Sequence, residues 1–358
     1  MKKANLQLLR FKSSDPIRNI QNQLKEFFNS SPLSQKISMN DVTAIKVHFG
    51  EDKNHTFLSP SYIKPIVDVI KSRQAKPFVT DTNVLYKSKR DNAVDHLLLA
   101  NHHGFSIETL GAPLVIADGI LGKNETEITI DAPINQKVNI ASEFLTSNSI
   151  VVVTHATGHL ASGLGATIKN LGMGMSSRKG KLMQHSVSKP MINTAKCINC
   201  LACYNWCPAD SIIKKAAHVF IDENKCIGCG ECLAQCRHDA VKFKWDSSSA
   251  DLQKQIAEHA LGIVKTKGDK MIYFTFLINM TKDCDCIGNQ SGFVMEDIGV
   301  LLGDDPVALD QAVLDLTSLK DKNLATMSYE NHDPTIQISY GEKIGLGVRK
   351  YKLTEFTA

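Results

Sequence analysis

Eight cysteines fall into two runs with the same spacing, residues 197–207 and 226–236. Each run has the pattern C-x2-C-x2-C-x3-C, and Pro208 directly follows the first run. Thiolates at these intervals bind iron–sulfur clusters, because the first three cysteines share a tight loop and the fourth points away from it. The spacing therefore predicts two [4Fe–4S] clusters, whose chemistry is one-electron transfer.

The outward direction of the fourth cysteine assigns the ligands of the two clusters. The first cluster is predicted to be bound by Cys197, Cys200, Cys203 and Cys236. The second is predicted to be bound by Cys226, Cys229, Cys232 and Cys207. A disulfide framework or two zinc knuckles are the alternatives, but zinc sites usually pair C-x2-C motifs across a longer gap.

Residues 193–245 resemble a bacterial two-cluster ferredoxin. Ile198 and Ile227 occupy matching places after the first cysteine of each run. Such domains usually have Pro directly after the last cysteine, where this chain has Arg237. The departure removes no ligand.

Apolar runs of strand length alternate with amphipathic segments of helix length on both sides of these cysteines. Strands are predicted over 43–49, 77–80, 114–117, 138–141, 150–153 and 271–278, and as an edge strand over 335–340. Helices are predicted from Pro16 and Pro60 and over 92–103, 251–265 and 306–319. This alternation predicts an α/β fold with a largely parallel sheet flanked by helices, carrying an inserted α+β two-cluster ferredoxin-like domain.

Residues 247–358 contain too few predicted helices and strands to form a separate domain. Their strand 271–278 is therefore predicted to complete the first sheet. The domains are therefore predicted as one discontinuous α/β domain, 1–190 plus 247–358, with residues 191–246 as the inserted domain. Lys189-Pro190 and the serine-rich stretch 246–249 mark the hinges.

Polar side chains follow four predicted strands, and open parallel sheets bind ligands beyond their carboxyl ends. They are His48 and Glu51, then Asp81, Asn83 and Tyr86, then His155 and His159, and finally residues 283–286. A single histidine there is more often a hydrogen-bonded core residue than a ligand. The pair Cys284 and Cys286, together with His155 and His159, is a candidate second site for Zn, Fe or another borderline metal. The alternative is two reduced cysteines without a metal.

The stretch 155–181 is rich in glycine and in basic residues. Its backbone N–H groups could bind an anion, so the candidate ligands of an anionic redox cofactor are Lys169, Asn170, Arg178 and Lys181. It is not a P-loop, because Leu182 stands where Mg²⁺ would require Ser or Thr. It is not a dinucleotide-binding motif either, because the third glycine of that motif is missing. The alternative is a basic loop that covers the cysteine-rich domain.

Six further motifs accompany the cysteine runs. They are VHFGE (47–51), TDTN (80–83), HATGH (155–159), IKNLGMG (168–174), DCDC (283–286) and GDDPVALDQAVLD (303–315). In this combination the chain resembles the iron–sulfur-centre branch of the domain-of-unknown-function family 362 over nearly its whole length. The resemblance implies the α/β architecture and the inserted cluster domain, and it implies no substrate.

Three functions are compatible with these features. The first is an oxidoreductase in which two [4Fe–4S] clusters pass electrons to a second metal or cofactor site in the α/β domain. The others are a non-enzymatic electron carrier that docks partner proteins and a metal or cluster delivery factor. Whether the chain is an enzyme, and whether it has a small-molecule substrate, stays open, whereas a redox partner protein is expected.

Charge and hydropathy limit the other partners. The formal net charge is +4, and two loaded clusters with their thiolates add about −4, so no nucleic-acid partner is expected. No apolar run reaches the ~18–20 residues of a membrane span, and no apolar signal segment follows Lys2 and Lys3. Because thiolate-bound clusters need a reducing compartment, we expect a cytoplasmic protein.

Overall fold

The structure is a computed structural model that describes residues 3–185, 190–207, 209–226, 232, 235–236, 238, 240–243, 249–288, 292–320 and 322–357. Its strands are β1 Ala4–Arg10, β2 Val42–Lys46, β3 Lys76–Asp81, β4 Leu114–Ile116, β5 Glu125–Thr129, β6 Lys137–Ala141, β7 Ser149–His155, β8 Thr157–His159, β9 Gly163–Gly165, β10 Pro190–Ile192, β11 Ile212–Lys214, β12 Val219–Ile221, β13 Val241–Phe243, β14 Met271–Leu277, β15 Gly299–Gly303 and β16 Tyr351–Glu355.

The α-helices are α1 Ile17–Ser30, α2 Pro60–Ser72, α3 Ala93–His102, α4 Ile107–Leu110, α5 Ser142–Thr146, α6 Thr167–Gly172, α7 Arg178–His185, α8 Ala202–Asn205, α9 Ser249–Lys267, α10 Pro306–Leu316, α11 Leu324–Ser328 and α12 Thr335–Lys343. Short 3-10 helices cover Pro32–Lys36 and Gly268–Lys270. Across the described ranges, no helix combines the length and the apolar character that a membrane crossing requires.

Eight strands form the main sheet in the order β16-β1-β15-β14-β7-β2-β3-β4. Neighbouring strands are parallel except where β15 pairs with β1 and with β14. The predicted α/β fold with a largely parallel sheet is therefore confirmed. Strands from before and after the cysteine runs lie side by side at its centre, where β7 pairs with β14 and His155 lies opposite Phe276.

Helices cover both faces of this sheet because its central strands are apolar on both sides. In β7, Ile150 and Val152 contribute to one core layer, and Val151 and Val153 contribute to the other. Helices α6, α9 and α10 pack on the first layer, and α1 and α2 pack on the second. Gly172 at the end of α6 allows close contact with α9, because a Cβ atom there would lie 2.1 Å from the Ile256 carbonyl oxygen.

The prediction of an edge strand over 335–340 is wrong, because this segment forms α12. The Asp333 carboxylate accepts a hydrogen bond from the Thr335 N–H at 2.9 Å, at the start of the helix. Ile338 and Gly341 are buried three residues apart, the spacing of one helical face. The alternating Ile-x-Ile-x-Tyr sequence resembles a strand, but the edges of the main sheet are β4 and β16.

Residues 190–243, called the cysteine unit below, contain two small antiparallel sheets. Strand β10 pairs with β13, and β11 pairs with β12. Their inward side chains form an apolar cluster of their own, which includes Ile212, Val219, Ile221 and Val241. Cys203 and Cys232 belong to this cluster, and four more cysteines pack against it: Cys197, Cys207, Cys226 and Cys236.

Candidate cluster and metal sites

Four cysteines line one cavity in the cysteine unit. They are Cys197, Cys200, Cys203 and Cys236, and the cavity is partly open to solvent. Three belong to the first run and one to the second, which is the combination that the cysteine spacing predicts for one cluster. The remaining wall is largely apolar and includes Ile192. Four thiols around an apolar cavity form a donor set that fits a [4Fe–4S] cluster.

The two halves of the cysteine unit repeat each other in backbone contacts as well as in sequence. The sulfur of Cys207 accepts a hydrogen bond from the Ser211 N–H at 3.3 Å, and the sulfur of Cys236 accepts one from the Ala240 N–H at 3.4 Å. In each run the fourth cysteine is therefore held by the amide four residues further on.

The strand pairs follow the same repeat, since β10 corresponds to β12 and β13 corresponds to β11. Cys207, Cys226 and Cys232 contact the same small core as Cys197, Cys203 and Cys236. Cys229, the remaining ligand predicted for the second cluster, lies outside the described residues, so the geometry of that ligand set is described only in part.

The carboxyl ends of β2, β3, β4, β7 and β14 meet at one edge of the main sheet because these strands are parallel. We call this edge the strand-end rim, and it consists of residues 47–51, 81–86, 116–118, 155–159 and 278–286. The strand ends that carry polar clusters in the sequence therefore share one edge, where ligands bind in open α/β sheets.

Three predicted metal ligands come together on the strand-end rim. One ring nitrogen of His159 and the sulfurs of Cys284 and Cys286 lie within 4.8 Å of one another. The two sulfurs are bonded to each other as a disulfide, with their Cα atoms 5.2 Å apart. When the cysteines are reduced, one imidazole and two thiolates form a ligand set that Zn²⁺ accepts with a fourth position open.

Gly158 brings the histidine to the cysteine loop. Its N–H donates to the Thr281 carbonyl at 2.9 Å, and a Cβ atom at this position would lie 2.2 Å from the Lys282 carbonyl oxygen. A larger residue would therefore push β8 away from the segment that precedes Cys284.

His159 is held by Ser162. The Ser162 hydroxyl donates to the Leu164 carbonyl at 3.0 Å and lies 2.8 Å from His159 Nδ1, so it can accept the Nδ1 proton. In the other tautomer, Nδ1 accepts from the backbone N–H groups of Ala161 and Ser162. Metal binding at Nε2 requires the first tautomer. Burial, with the nearby charge of Lys169, lowers the pKa of His159 far below its ordinary value, which keeps the ring neutral as a ligand must be.

His155 is not part of this group of three. Its Nδ1 lies 3.0 Å from the Asp285 carboxylate, and its Nε2 lies 2.8 Å from the Ile278 carbonyl oxygen, so both nitrogens have partners. Burial alone would lower the pKa of His155, but Asp285 outweighs it and raises the pKa. The structure therefore brings three of the four predicted ligands together and leaves out His155, which anchors the loop that carries the cysteines.

A second polar cluster on the strand-end rim is a buried ion network. Asp81 accepts from Lys46 and from Arg90, each at 3.1 Å, and all three side chains are at most 3% exposed. Burial would raise the pKa of Asp81, but the two cations outweigh it and hold this pKa far below its ordinary range. The carboxylate is therefore ionised between two fixed positive charges, and Glu51 lies 3.6 Å from Arg90 on the outer side.

The family of the chain follows from a comparison with known protein families. The family model described as Domain of unknown function (DUF362) matches residues 43–315. The chain belongs to the DUF362 family. This match includes β2 from Thr43 onwards, the whole cysteine unit and the DCDC loop, so the whole strand-end rim lies within the matched residues.

Solved structures resemble the DUF362 chain only distantly. The lactate racemase apoprotein from Thermoanaerobacterium thermosaccharolyticum matches 88% of this chain with 11% identity and a TM-score of 0.48. A Thermotoga maritima protein of known crystal structure matches 80% with 8% identity and a TM-score of 0.39. The chain spans 58% and 56% of the lengths of these two proteins. No curated protein matches it.

The residues predicted to bind an anion separate into two groups in this DUF362 chain. Lys169 reaches the metal ligands, with Nζ 3.8 Å from the Cys284 sulfur. Burial lowers the pKa of Lys169 to about 8. The amide of Asn170 is already occupied, because its oxygen accepts from Lys46 and its nitrogen donates to the Val153 carbonyl. Asn170 therefore supports the rim rather than offering a free donor.

Arg178 and Lys181 lie on the side of β3 and β4. Arg178 donates to the Asp91 carbonyl at 3.1 Å. Lys181 donates to the Thr82 hydroxyl at 2.6 Å and to the Ser176 carbonyl at 2.7 Å. These contacts join α7 to the rim. The structure does not bring the two side chains to His159, Cys284 and Cys286, which we call the His159 group.

Three residues of the site were not singled out from the sequence: Lys46, Arg90 and Ser162. Lys46 had a usable signal, because a lysine at the end of an otherwise apolar strand must find a buried partner. Arg90 and Ser162 had none, since each acts through a residue that only the fold brings near. Asp285 lies within the DCDC motif, but its pairing with His155 depends on the position of β7 beside β14.

Proposed function

We propose that the chain is an iron–sulfur redox protein whose two [4Fe–4S] clusters, when bound, supply electrons one at a time to a second metal or cofactor site on the strand-end rim. It acts as an oxidoreductase and receives its electrons from a redox partner protein. The cysteine unit belongs to an inserted ferredoxin-like domain, residues 191–246, within one discontinuous α/β domain. Its thiolate ligands need a reducing compartment, so we assign it to the cytoplasm.

The observation that carries this proposal is the cavity lined by Cys197, Cys200, Cys203 and Cys236. A zinc site that pairs two C-x2-C motifs would take two cysteines from each run, whereas three cysteines from one run and one from the other is the combination that a two-cluster domain requires. The repeated backbone contacts at Cys207 and Cys236 support a second, equivalent ligand set.

The second site consists of His159, Cys284 and Cys286 on the rim. A site with three protein ligands and one open position is typical of catalytic rather than structural zinc centres, and it allows a small molecule to reach the metal. Within the described parts of the chain the Lys169 ammonium makes no ion pair, and it donates a hydrogen bond to the Cys284 sulfur. We assign it to an anionic group of the cofactor or substrate, which it would hold beside the metal.

A matched pair of variants tests the cluster assignment. Cys203 and Cys232 are the third cysteines of their runs, and each is 7% exposed. Cys203→Ser and Cys232→Ser should each lose about half of the iron, from about eight to about four per chain, if each residue binds one of two clusters. Electron paramagnetic resonance of the reduced variants should show one signal each, and the two signals should differ. Retention of all iron in either variant would contradict the assignment.

The alternatives differ in one further result. An oxidoreductase converts a small molecule, whereas a pure electron carrier reduces only proteins and has no use for a metal at His159. A delivery factor would release the metal bound at Cys284 and Cys286 to an acceptor chelator faster than a catalytic site does. Turnover of a small molecule that is lost in His159→Ala, with the iron content unchanged, distinguishes the proposed function from both.

A further inference from the structure

The two sulfurs of the DCDC motif take part in two arrangements that exclude each other. Cys284 and Cys286 are bonded together as a disulfide, and the same two atoms are the sulfur ligands of the His159 group. A thiolate binds a metal, whereas a disulfide sulfur has no thiolate charge to offer. The site therefore binds a metal in only one of its two oxidation states.

The loop that carries the cysteines is fixed from several sides by contacts that do not involve either sulfur. The Asp285 carboxylate pairs with His155 at 3.0 Å, and the Asp285 carbonyl accepts from the Glu51 N–H at 2.9 Å. The Tyr86 hydroxyl donates to the Cys286 carbonyl at 3.1 Å. The disulfide and the metal-binding form can therefore interconvert through the cysteine side chains while the loop stays in place.

The two sulfurs differ in their surroundings. Cys284 is 6% exposed and has the Lys169 ammonium beside it, whereas Cys286 is only partly buried. A neighbouring positive charge stabilises a thiolate, so reduction leaves the buried sulfur charged beside Lys169. The more exposed Cys286 is the sulfur that a reductant or an incoming metal reaches first.

We propose that the Cys284–Cys286 pair is a two-electron thiol–disulfide centre that controls metal binding at His159. The disulfide takes up two electrons, its S–S bond breaks, and each sulfur becomes a thiolate that binds a divalent, thiol-preferring cation with His159. In the reverse direction the cation leaves, the two thiolates form the S–S bond again, and the two electrons return to the two oxidised clusters. The inference rests on the proposed function for the electron source, since two reduced clusters hold one transferable electron each, which matches the two that the disulfide requires.

Differential alkylation tests the redox part on the full, cluster-loaded chain under argon. After mild treatment with oxidised glutathione, Cys284 and Cys286 should resist alkylation, and after a phosphine reductant both should be labelled, as mass spectrometry of the peptides would show. Iron is measured in parallel so that loss of the clusters is recognised. Labelling of both cysteines after the oxidising treatment would overturn the inference.

Cobalt(II) alone is the probe for the metal part. The reduced chain should retain about one cobalt after desalting, the expected occupancy of one His/Cys/Cys site, and the oxidised chain should retain none. His159→Ala and the double variant Cys284→Ser/Cys286→Ser should retain none in either state. His102→Ala, which changes an exposed histidine on α3, should behave like the unchanged chain.

The outcomes separate this inference from the proposed function. Equal cobalt binding in the oxidised and reduced chain would overturn the redox control and leave the metal site in place. Absence of cobalt in both states would overturn the rim metal site and the redox control together. An iron content of about four per chain or less, with redox-dependent cobalt binding intact, would contradict the two-cluster assignment and the electron source drawn from it, and would leave the redox control of metal binding in place.

Discussion

The cysteine unit and the strand-end rim position their candidate ligands in opposite ways. In the cysteine unit, the ligands come from two short runs whose spacing and backbone contacts repeat, so local geometry largely determines which sulfurs meet. On the rim, His159 and Cys284 meet because β7 lies beside β14. The comparison shows that a local motif defines a ligand set by itself, whereas a site at a sheet edge depends on the order of the strands.

The largest expected effect comes from substituting the fourth cysteine of a run, because that residue is predicted to bind the cluster of the other run. Cys207→Ser should release about half of the iron, because this residue is assigned to the cluster of the other run. Cys226 and Cys232 should then become open to alkylation while Cys197, Cys200 and Cys203 stay protected. Cys236→Ser, its counterpart, should give the reverse pattern. If each variant instead made the remaining cysteines of its own run open to alkylation, each run would bind its cluster without a ligand from the other run.

Removal of the buried carboxylate should destabilise the rim strongly. Asp81→Asn leaves Lys46 and Arg90 buried without their shared counter-charge, and the loss of a buried partner costs about 3–5 kcal/mol. Denaturant unfolding of the variant and the unchanged chain measures this free energy. Glu127→Ala removes an exposed partner of Lys137 and is the matched control, for which little change is expected. If the Asp81 variant had the same free energy of unfolding as the unchanged chain, the ion network would not stabilise the fold.

The pairing of His155 with Asp285 should make the rim sensitive to pH. Because the pKa of His155 is raised in the folded chain, its stabilising effect is complete below the unfolded value of about 6.5 and is lost as pH rises through the folded value. His155→Gln should therefore cost about 1.5–3 kcal/mol below that pH, the value of a hydrogen bond between charged groups, and less at higher pH. A cost that does not change with pH would show that His155 is neutral throughout.

The smallest expected effect is on the affinity for metal. Ser162→Ala removes the hydroxyl that can hold the proton of His159 on Nδ1, so cobalt should bind the reduced chain about 10–100-fold more weakly. Ser339→Ala changes an exposed serine on α12 and should leave the affinity unchanged. Equal affinity in both variants would indicate that the backbone N–H groups of Ala161 and Ser162, not the hydroxyl, determine the tautomer.

These contrasts explain how much the sequence could predict. The parallel sheet followed from strands such as 150–153 and 271–278, because apolar residues on both faces of a strand require cover on both sides. The location of a ligand-binding edge could be predicted, because polar residues follow these strands in the sequence. Its side-chain pairings could not be predicted, because the choice of Asp285 as the partner of His155 depends on register. The strand prediction for residues 335–340 was wrong for a related reason, because a short alternating stretch fits either a strand or a helix until its neighbours are known.

The central claim is that the chain combines two clusters in the cysteine unit with one separate metal site on the rim. Metal and acid-labile sulfide analysis of the anaerobically purified, reduced full chain tests it most directly. The expected result is about eight iron and eight sulfide per chain, with about one further thiol-bound metal that is absent from the Cys284→Ser/Cys286→Ser variant. A chain that saturates at about four iron, or whose total metal content is the same in this variant, would contradict the account.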